Sequence, residues 1–337
     1  MNILVTGGAG YIGSHTCVEL LTAGHDVVVV DNFSNSKPMV LDRIEQICGR
    51  RPLVYAEDMR NSERIAEILS VHAIEAVMHF AGLKAVGESI EQPLRYYDNN
   101  MTGSMALFGA MMKTGVRTLV FSSSATVYGN PASVPVREDF PLSATNPYGR
   151  SKLMVEEILR DLARVDDSWH IALLRYFNPV GAHASGLIGE DPAGIPSNLM
   201  PYLSQVAVGR LAELQIFGGD YPTLDGTGVR DFIHVVDLAR GHIAALDWLR
   251  QHSRVHTFNL GTGQGKSVLE MVHAFEAVSD RSVPHRIVER RAGDIAQCYA
   301  DVSCAERELG WKAQHGITEM CRDAWHWQLK NPGGYAD

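Results

Sequence analysis

Cysteine is scarce in this chain, with five among 337 residues. Cys17, Cys48, Cys298, Cys304 and Cys321 are odd in number and form no C-x-x-C pair. That argues against a disulfide framework or a thiolate metal site and for reduced thiols in a cytoplasmic protein. No apolar run is long enough to cross a bilayer. The opening Asn2-Ile3-Leu4-Val5 reads as a buried strand rather than a secretion signal. Positive charge is also short: 30 Lys and Arg stand against 39 Asp and Glu, a net charge of −9, which disfavours a nucleic-acid surface. The fourteen histidines are dispersed without a His-Glu-x-x-His motif, so no metal site is expected.

What is present is an ordinary globular composition, 45% hydrophobic and 20% charged, in a chain long enough for two lobes. Short apolar runs at Ile3–Thr6, Val27–Val30, Leu53–Ala56, Ala76–Phe80, Thr118–Ser122 and Ile171–Arg175 predict strands. Between them, Ile12–Ala23, Arg64–Val71, Leu94–Lys113 and Tyr148–Ala163 carry helical periodicity. Apolar strands alternating with helices imply an α/β fold: a doubly wound parallel sheet of Rossmann type, covered on both faces. After Asn178 prolines and glycines multiply, and a smaller mixed α/β lobe is expected. Phe232–Leu238 and His256–Leu260 read as strands that return to the first lobe.

Gly7-Gly8-Ala9-Gly10-Tyr11-Ile12-Gly13 follows the first strand and opens the first helix. In this Gly-x-x-Gly-x-x-Gly spacing, Gly7 permits the tight turn, Gly10 lets backbone approach a pyrophosphate, and Gly13 allows close helix packing. The helix N-terminus then faces the phosphate charge. Asp31 ends the second strand, where a carboxylate accepts from ribose hydroxyls and repels a 2′-phosphate. NAD is the expected cofactor.

Asn146 and Pro147 suit the cap and first position of a helix, and Tyr148 and Lys152 share one face of it. A phenol titrates near pH ~10, and a neighbouring ammonium favours the phenolate, which makes the tyrosine a usable acid/base. Ser124 ends the Thr118–Ser122 strand region, on the side where ligands of such sheets sit.

Serine, tyrosine and lysine downstream of a dinucleotide loop form the pattern of the short-chain dehydrogenase/reductase superfamily, here its extended branch. His79-Phe80-Ala81-Gly82-Leu83-Lys84-Ala85-Val86-Gly87-Glu88-Ser89, Tyr96-Tyr97-Asp98-Asn99-Asn100, Ser122-Ser123-Ser124-Ala125-Thr126-Val127-Tyr128-Gly129 and Leu174-Arg175-Tyr176-Phe177-Asn178-Pro179-Val180-Gly181 resemble the UDP-galactose 4-epimerases. The resemblance extends to Trp325-His326-Trp327-Gln328 near the end of the chain.

It implies that Ser124 and Tyr148 contact the sugar O4, that Tyr148 takes its proton, and that Lys152 lowers the phenol pKa and holds the nicotinamide ribose. It also implies that Tyr11, Ile12, Asp31, Asn32, Ser36, Asp58, Phe80, Ala81, Lys84, Asn99 and Phe177 line NAD, with Met59 contributing backbone. UDP-hexose would meet Lys84, Asn178, Asn198, Leu199, Gln215, Ile216, Phe217, Arg230, Arg291 and Asp294. Cys298 falls on the wall facing the sugar C2 substituent, where a small residue in place of tyrosine implies room for an N-acetyl group. Residues 1–177 would then bind NAD and 178–337 the nucleotide sugar, with about 232–262 returning to the first domain. A homodimer is implied as well.

Two rival activities share these parts. A nucleotide-sugar 4,6-dehydratase needs an acidic pair after the strand-ending hydroxyl, and Ala125-Thr126 stand there instead. An NAD-dependent dehydrogenase would release NADH and raise the absorbance of its usual band.

Overall fold

A computed structural model of the chain describes residues 1–335 apart from 193, 195 and 292. As far as Tyr176 the chain runs β1 (Asn2–Thr6), α1 (Tyr11–Thr22), β2 (Asp26–Asp31), α2 (Met39–Cys48), β3 (Leu53–Ala56), α3 (Ser62–Val71), β4 (Ala76–His79), α4 (Val86–Glu91), α5 (Pro93–Tyr97), α6 (Gly103–Thr114), β5 (Thr118–Ser122), α7 (Pro147–Val165) and β6 (His170–Tyr176). It continues through β7 (Asn178–Val180), α8 (Leu199–Ala207), β8 (Leu214–Phe217), β9 (Val229–His234), α9 (Val235–Leu249), β10 (Arg254–Leu260), β11 (Gly265–Ser267), α10 (Val268–Ser279), β12 (His285–Val288), β13 (Gln297–Cys298), α11 (Ser303–Leu309) and α12 (Ile317–Lys330).

Seven parallel strands form the main sheet in the order β10-β6-β5-β4-β1-β2-β3. The period-2 alternation of the strands splits their apolar side chains between two layers. Ile3, Val5, Val27, Val29 and Met78 face a layer shared with α1, α2 and α9. Leu4, Val28, Val30, Val77 and Phe121 face the layer of α3, α6 and α7. Every one of these side chains is buried, which is why the strands read as unbroken apolar runs. The remaining strands build a sheet of β11, β9 and β13 with β7 on β9, and a separate pair, β12 with β8.

Two elements differ from the sequence expectation. The helix expected over Leu94–Lys113 is broken: Asp98–Thr102 forms a π-turn between α5 and α6. This extra residue per turn brings the Asn100 side chain back to the Leu83 amide, 2.8 Å from Oδ1. The strand expected over Phe232–Leu238 ends at His234, whose Nδ1 accepts from the Val236 amide at 3.1 Å and starts α9. A continuous apolar run carries no period that marks such a boundary. β9 pairs with β7, β11 and β13 rather than with the main sheet. His256–Leu260 lies in β10, which pairs in parallel with β6.

Candidate active site

The strand order reverses between β1 and β4, where a doubly wound sheet opens a crevice at its carboxyl edge. The loops after these two strands touch there. Gly7 has φ +69°, and a Cβ on it would lie 2.7 Å from the Ala81 amide nitrogen. A Cβ on Gly13 would lie 2.2 Å from the Gly7 carbonyl oxygen, so α1 can begin against the turn only with glycine in that place. Gly10 caps α1 without a side-chain partner, and the first-turn amides at Tyr11 and Ile12 are presented to an anion. The cradle fits a dinucleotide pyrophosphate.

Asp31 is buried beside this cradle. Its Oδ2 accepts from the Ala9 amide at 3.0 Å, and its Oδ1 accepts from the Phe33 amide and the Ser36 hydroxyl, each at 2.9 Å. Asn32 donates to Asp58 Oδ2 at 3.1 Å. Hydrogen bonds from the Arg60 guanidinium hold the Asp58 carboxyl well below the usual range. Met59 is buried with its side chain against α6: a Cβ on Gly103 would lie 2.5 Å from its Cε. Phe80 leans on His242 with ring centroids 4.7 Å apart, and Phe177 is buried with Val127 and Tyr128. Asn99 donates to Asn100 Oδ1 at 3.0 Å. The Lys84 ammonium stands 5.7 Å from the Tyr11 ring centroid and donates to Glu190 Oε1 at 2.8 Å.

Asn146 Oδ1 accepts from the Gly149 amide at 2.8 Å and Pro147 opens α7, so cap and proline set the helix that carries Tyr148 and Lys152. Ser124 Oγ accepts from the Thr126 amide at 3.2 Å and from Thr126 Oγ1 at 2.9 Å. With both lone pairs engaged, the serine keeps its own hydrogen to donate. Tyr148 and Ser124 are both buried, 6% and 7% exposed. The Lys152 ammonium donates to the Ser122 carbonyl at 2.8 Å and lies 4.9 Å from the Phe121 ring centroid.

Burial pushes the Tyr148 phenol up, aided by the Tyr176 phenol, and the Ser124 hydroxyl opposes this in part. Desolvation of the phenolate is the largest cause. Burial also pulls the Lys152 ammonium down to about 8, with Glu156 opposing.

The second part of the site lies on the smaller sheets. Phe217, Arg291 and Asp294 come together: the guanidinium lies 4.3 Å from the Phe217 ring centroid, and its Nε donates to Asp294 Oδ2 at 3.2 Å. Gln215 is exposed on β8, whereas Ile216 is 1% exposed in the core, so only its backbone can meet a ligand. Leu199 opens α8, half-buried against the same core. Asn178 is exposed at the start of β7, and Asn198, just before α8, donates to Glu190 Oε1 at 2.6 Å. Arg230 on β9 pairs in register with Cys298 on β13. Cys298 packs against the buried cluster of Val127, Tyr128, Val136, Phe177 and Ala300. Burial pushes its thiol up to about 11, while Arg230 draws it down.

Three participants carried no sequence signal. Thr126 holds Ser124, and Glu190 ties Lys84 to Asn198. Glu156, fully buried, joins α7 to Ser123 and Arg175. Acids that bond across long sequence separations leave no local pattern. His252 stacks on Trp248 and His256 meets the same ring edge-on, and no cluster of three or more metal-binding side chains occurs among the described residues.

A family model described as the NAD dependent epimerase/dehydratase family matches residues 3–261. The chain belongs to that family, among its UDP-glucose 4-epimerases. This epimerase is 60% identical over 335 residues to the UDP-glucose 4-epimerase of Bacillus subtilis, covering 99% of each chain. A crystal structure of the enzyme from Stenotrophomonas maltophila, with bound NAD and formylated UDP-arabinopyranose, matches with a TM-score of 0.97 at 59% identity, covering 98% of this chain and 99% of that one. The Bifidobacterium longum enzyme in complex with NAD+ and UDP matches with a TM-score of 0.96 at 54% identity, covering 99% of this chain and 100% of that one. The epimerase is an isomerase that depends on NAD, and no helix among the described residues is long and apolar enough to cross a membrane.

Proposed function

We propose that this epimerase inverts C4 of UDP-hexoses, interconverting UDP-galactose and UDP-glucose through a transient 4-keto sugar. The observation that carries the assignment is the burial of Ser124, Tyr148 and Lys152, with Ser124 Oγ held by Thr126 and Lys152 one turn beyond Tyr148 on α7. Tyr148 takes the O4 proton and Ser124 donates to O4. Bound NAD supplies a reversible hydride acceptor and a positive charge that favours the phenolate. Lys152 adds a second positive charge and holds the nicotinamide ribose. Restoring the proton and hydride on the other face of the keto sugar gives the inverted product, and the cofactor ends as it began.

In this reading residues 1–177 form the NAD domain and 178–337 the nucleotide-sugar lobe, with about 232–262 contributing to the first. Asn178, Asn198, Leu199, Arg230, Arg291 and Asp294 contact the nucleotide sugar, the two arginines toward its diphosphate, and Gln215–Phe217 lies against the uracil. The wall at Cys298 leaves room for an N-acetyl group, so UDP-N-acetylgalactosamine and UDP-N-acetylglucosamine are substrates too. Met105 and Met112 on α6 and Met154 on α7 expose apolar side chains on helix surfaces, and we assign that face to a homodimer. The five free thiols suit a cytoplasmic protein. The test is to incubate purified enzyme with UDP-galactose and separate the products. UDP-glucose without net NADH is expected; release of NADH, or of a dehydrated sugar, would overturn the assignment.

A further inference from the structure

Glu156 lies one turn beyond Lys152 and two beyond Tyr148 on α7, and its side chain is 0% exposed. A carboxylate in such a place must be fully bonded or neutral. Its Oε1 accepts from Ser123 Oγ at 2.6 Å and from Arg175 Nε at 2.9 Å, and its Oε2 accepts from Arg175 Nη2 at 2.6 Å. The Arg160 guanidinium stands 3.6 Å away at the edge of the pair. Arg175, 1% exposed on β6, spends its other arm on the Tyr128 hydroxyl at 3.0 Å and the Glu138 carbonyl at 3.1 Å. Tyr128 in turn donates to Asn259 Oδ1 on β10 at 2.7 Å. The network therefore spans α7, the end of β5, β6 and β10.

Ser123 immediately precedes Ser124, and its amide is also fixed, to the Leu174 carbonyl at 2.9 Å. The hydroxyl that meets O4 is therefore set on a strand end clamped to the same helix that supplies the tyrosine. Several groups face the Lys152 ammonium: the Ser122 carbonyl and the Phe121 ring from β5, His79 from β4, and Glu156 from its own helix. His79 is neutral, because burial pulls it down to about 3, so Glu156 is the anion in this set.

We propose that Glu156 is the positioning residue of this active site: through Ser123 it fixes the distance between Ser124 and Tyr148, and through its charge it keeps Lys152 an ammonium. Arg175 serves to hold the carboxylate ionised and pointed. This rests on the reading that Ser124, Tyr148 and Lys152 carry the reaction.

The experiment compares holoenzymes purified with NAD. In Glu156→Gln the shape is kept and the charge removed. The alkaline fall in kcat should then move to lower pH by about one unit, as expected for an interaction of this kind, with KM for UDP-galactose little changed. In Ser123→Ala the ion pair stays intact. There kcat should fall several-fold at every pH while the shape of the profile stays that of wild type. A merely structural role would lower thermal stability in both variants without separating them in this way. A folded Glu156→Gln enzyme with the wild-type profile would overturn the charge role. Unchanged kcat in Ser123→Ala would overturn the positioning role, also if Glu156→Gln does not fold. Tyr148→Phe, assayed alongside, separates the two levels: if it is fully active, the assignment of the reacting groups fails instead.

Discussion

Asp31 closes the turn that precedes it by a whole βα unit: its Oδ2 accepts from the Ala9 amide at 3.0 Å. The carboxylate that ends β2 is thus part of the glycine cradle as well as the group proposed to face a ribose. Its three internal donors, Ala9, Phe33 and Ser36, also hold it rigid. Removing it should cost structure and cofactor binding together, whereas removing only its charge should not.

Asp31→Ala is accordingly expected to weaken NAD binding by roughly 10- to 100-fold, the scale of a lost charged hydrogen bond, and to lower Tm. Asp31→Asn keeps one of the two acceptor oxygens for the loop and relieves repulsion of a 2′-phosphate. Its Tm should stay nearer to wild type while the preference for NAD over NADP narrows. Titrating both cofactors against both variants checks this; an unchanged preference in Asp31→Asn would place the carboxylate away from the ribose.

Tyr148→Phe keeps the ring and removes the proton acceptor. Loss of general-base catalysis should lower kcat by about 10²–10⁴, with NAD still bound on purification. Rapid-quench measurement of UDP-galactose turnover, beside cofactor content from the absorbance of the denatured supernatant, decides it. Turnover within a few-fold of wild type would remove Tyr148 from the mechanism.

Acid stability follows from buried histidines. His15, His79 and His242 are 1%, 1% and 0% exposed, and burial pulls them down to about 3, 3 and 4. Their folded values lie below the unfolded value of about 6.5, so the unfolded chain binds more protons at mildly acid pH. The stability they allow is complete above about pH 6.5 and is lost as pH falls toward the folded values, by up to about 1.4 kcal/mol per ring per pH unit. Tm should therefore drop steeply between pH 6.5 and 5. A flat Tm across that window would contradict three neutral buried rings.

The parts of this architecture that follow from local pattern were legible in the sequence. β3 and β5 fall on the expected residues because their β-branched and aromatic runs are bounded by polar or turn residues. The Asn146-Pro147 start of α7 reads from capping chemistry alone. The π-turn at Asp98–Thr102 does not, since it is selected by the contact of Asn100 with Leu83, a residue from another loop. For the same reason the site was legible in its motifs and not in its supports. Ser123 meets Glu156 across 33 residues, and Lys84 meets Glu190 across 106. Periodicity places Lys152 and Tyr148 on one face but says nothing of how deeply the phenol is buried.

Substrate range turns on one side chain. Cys298 lies opposite Arg230 and packs against the buried cluster that includes Val127, Tyr128 and Phe177. A thiol there is small, and with its value pushed up to about 11 it is uncharged at neutral pH, so it offers space without a charge to repel a neutral acetamido group. A tyrosine in its place would fill that space with a ring, and overfilling a packed wall typically costs about 1–3 kcal/mol. Wild type should therefore convert UDP-N-acetylgalactosamine as well as UDP-galactose. Cys298→Tyr should lose at least the first activity by roughly 10- to 100-fold while keeping the second. Cys298→Ser, similar in size, should keep both, which separates volume from thiol chemistry. Product ratios measured by anion-exchange chromatography for each enzyme and substrate decide the matter. If wild type leaves UDP-N-acetylgalactosamine untouched while turning over UDP-galactose, another part of the wall excludes the acetamido group and Cys298 does not set the range.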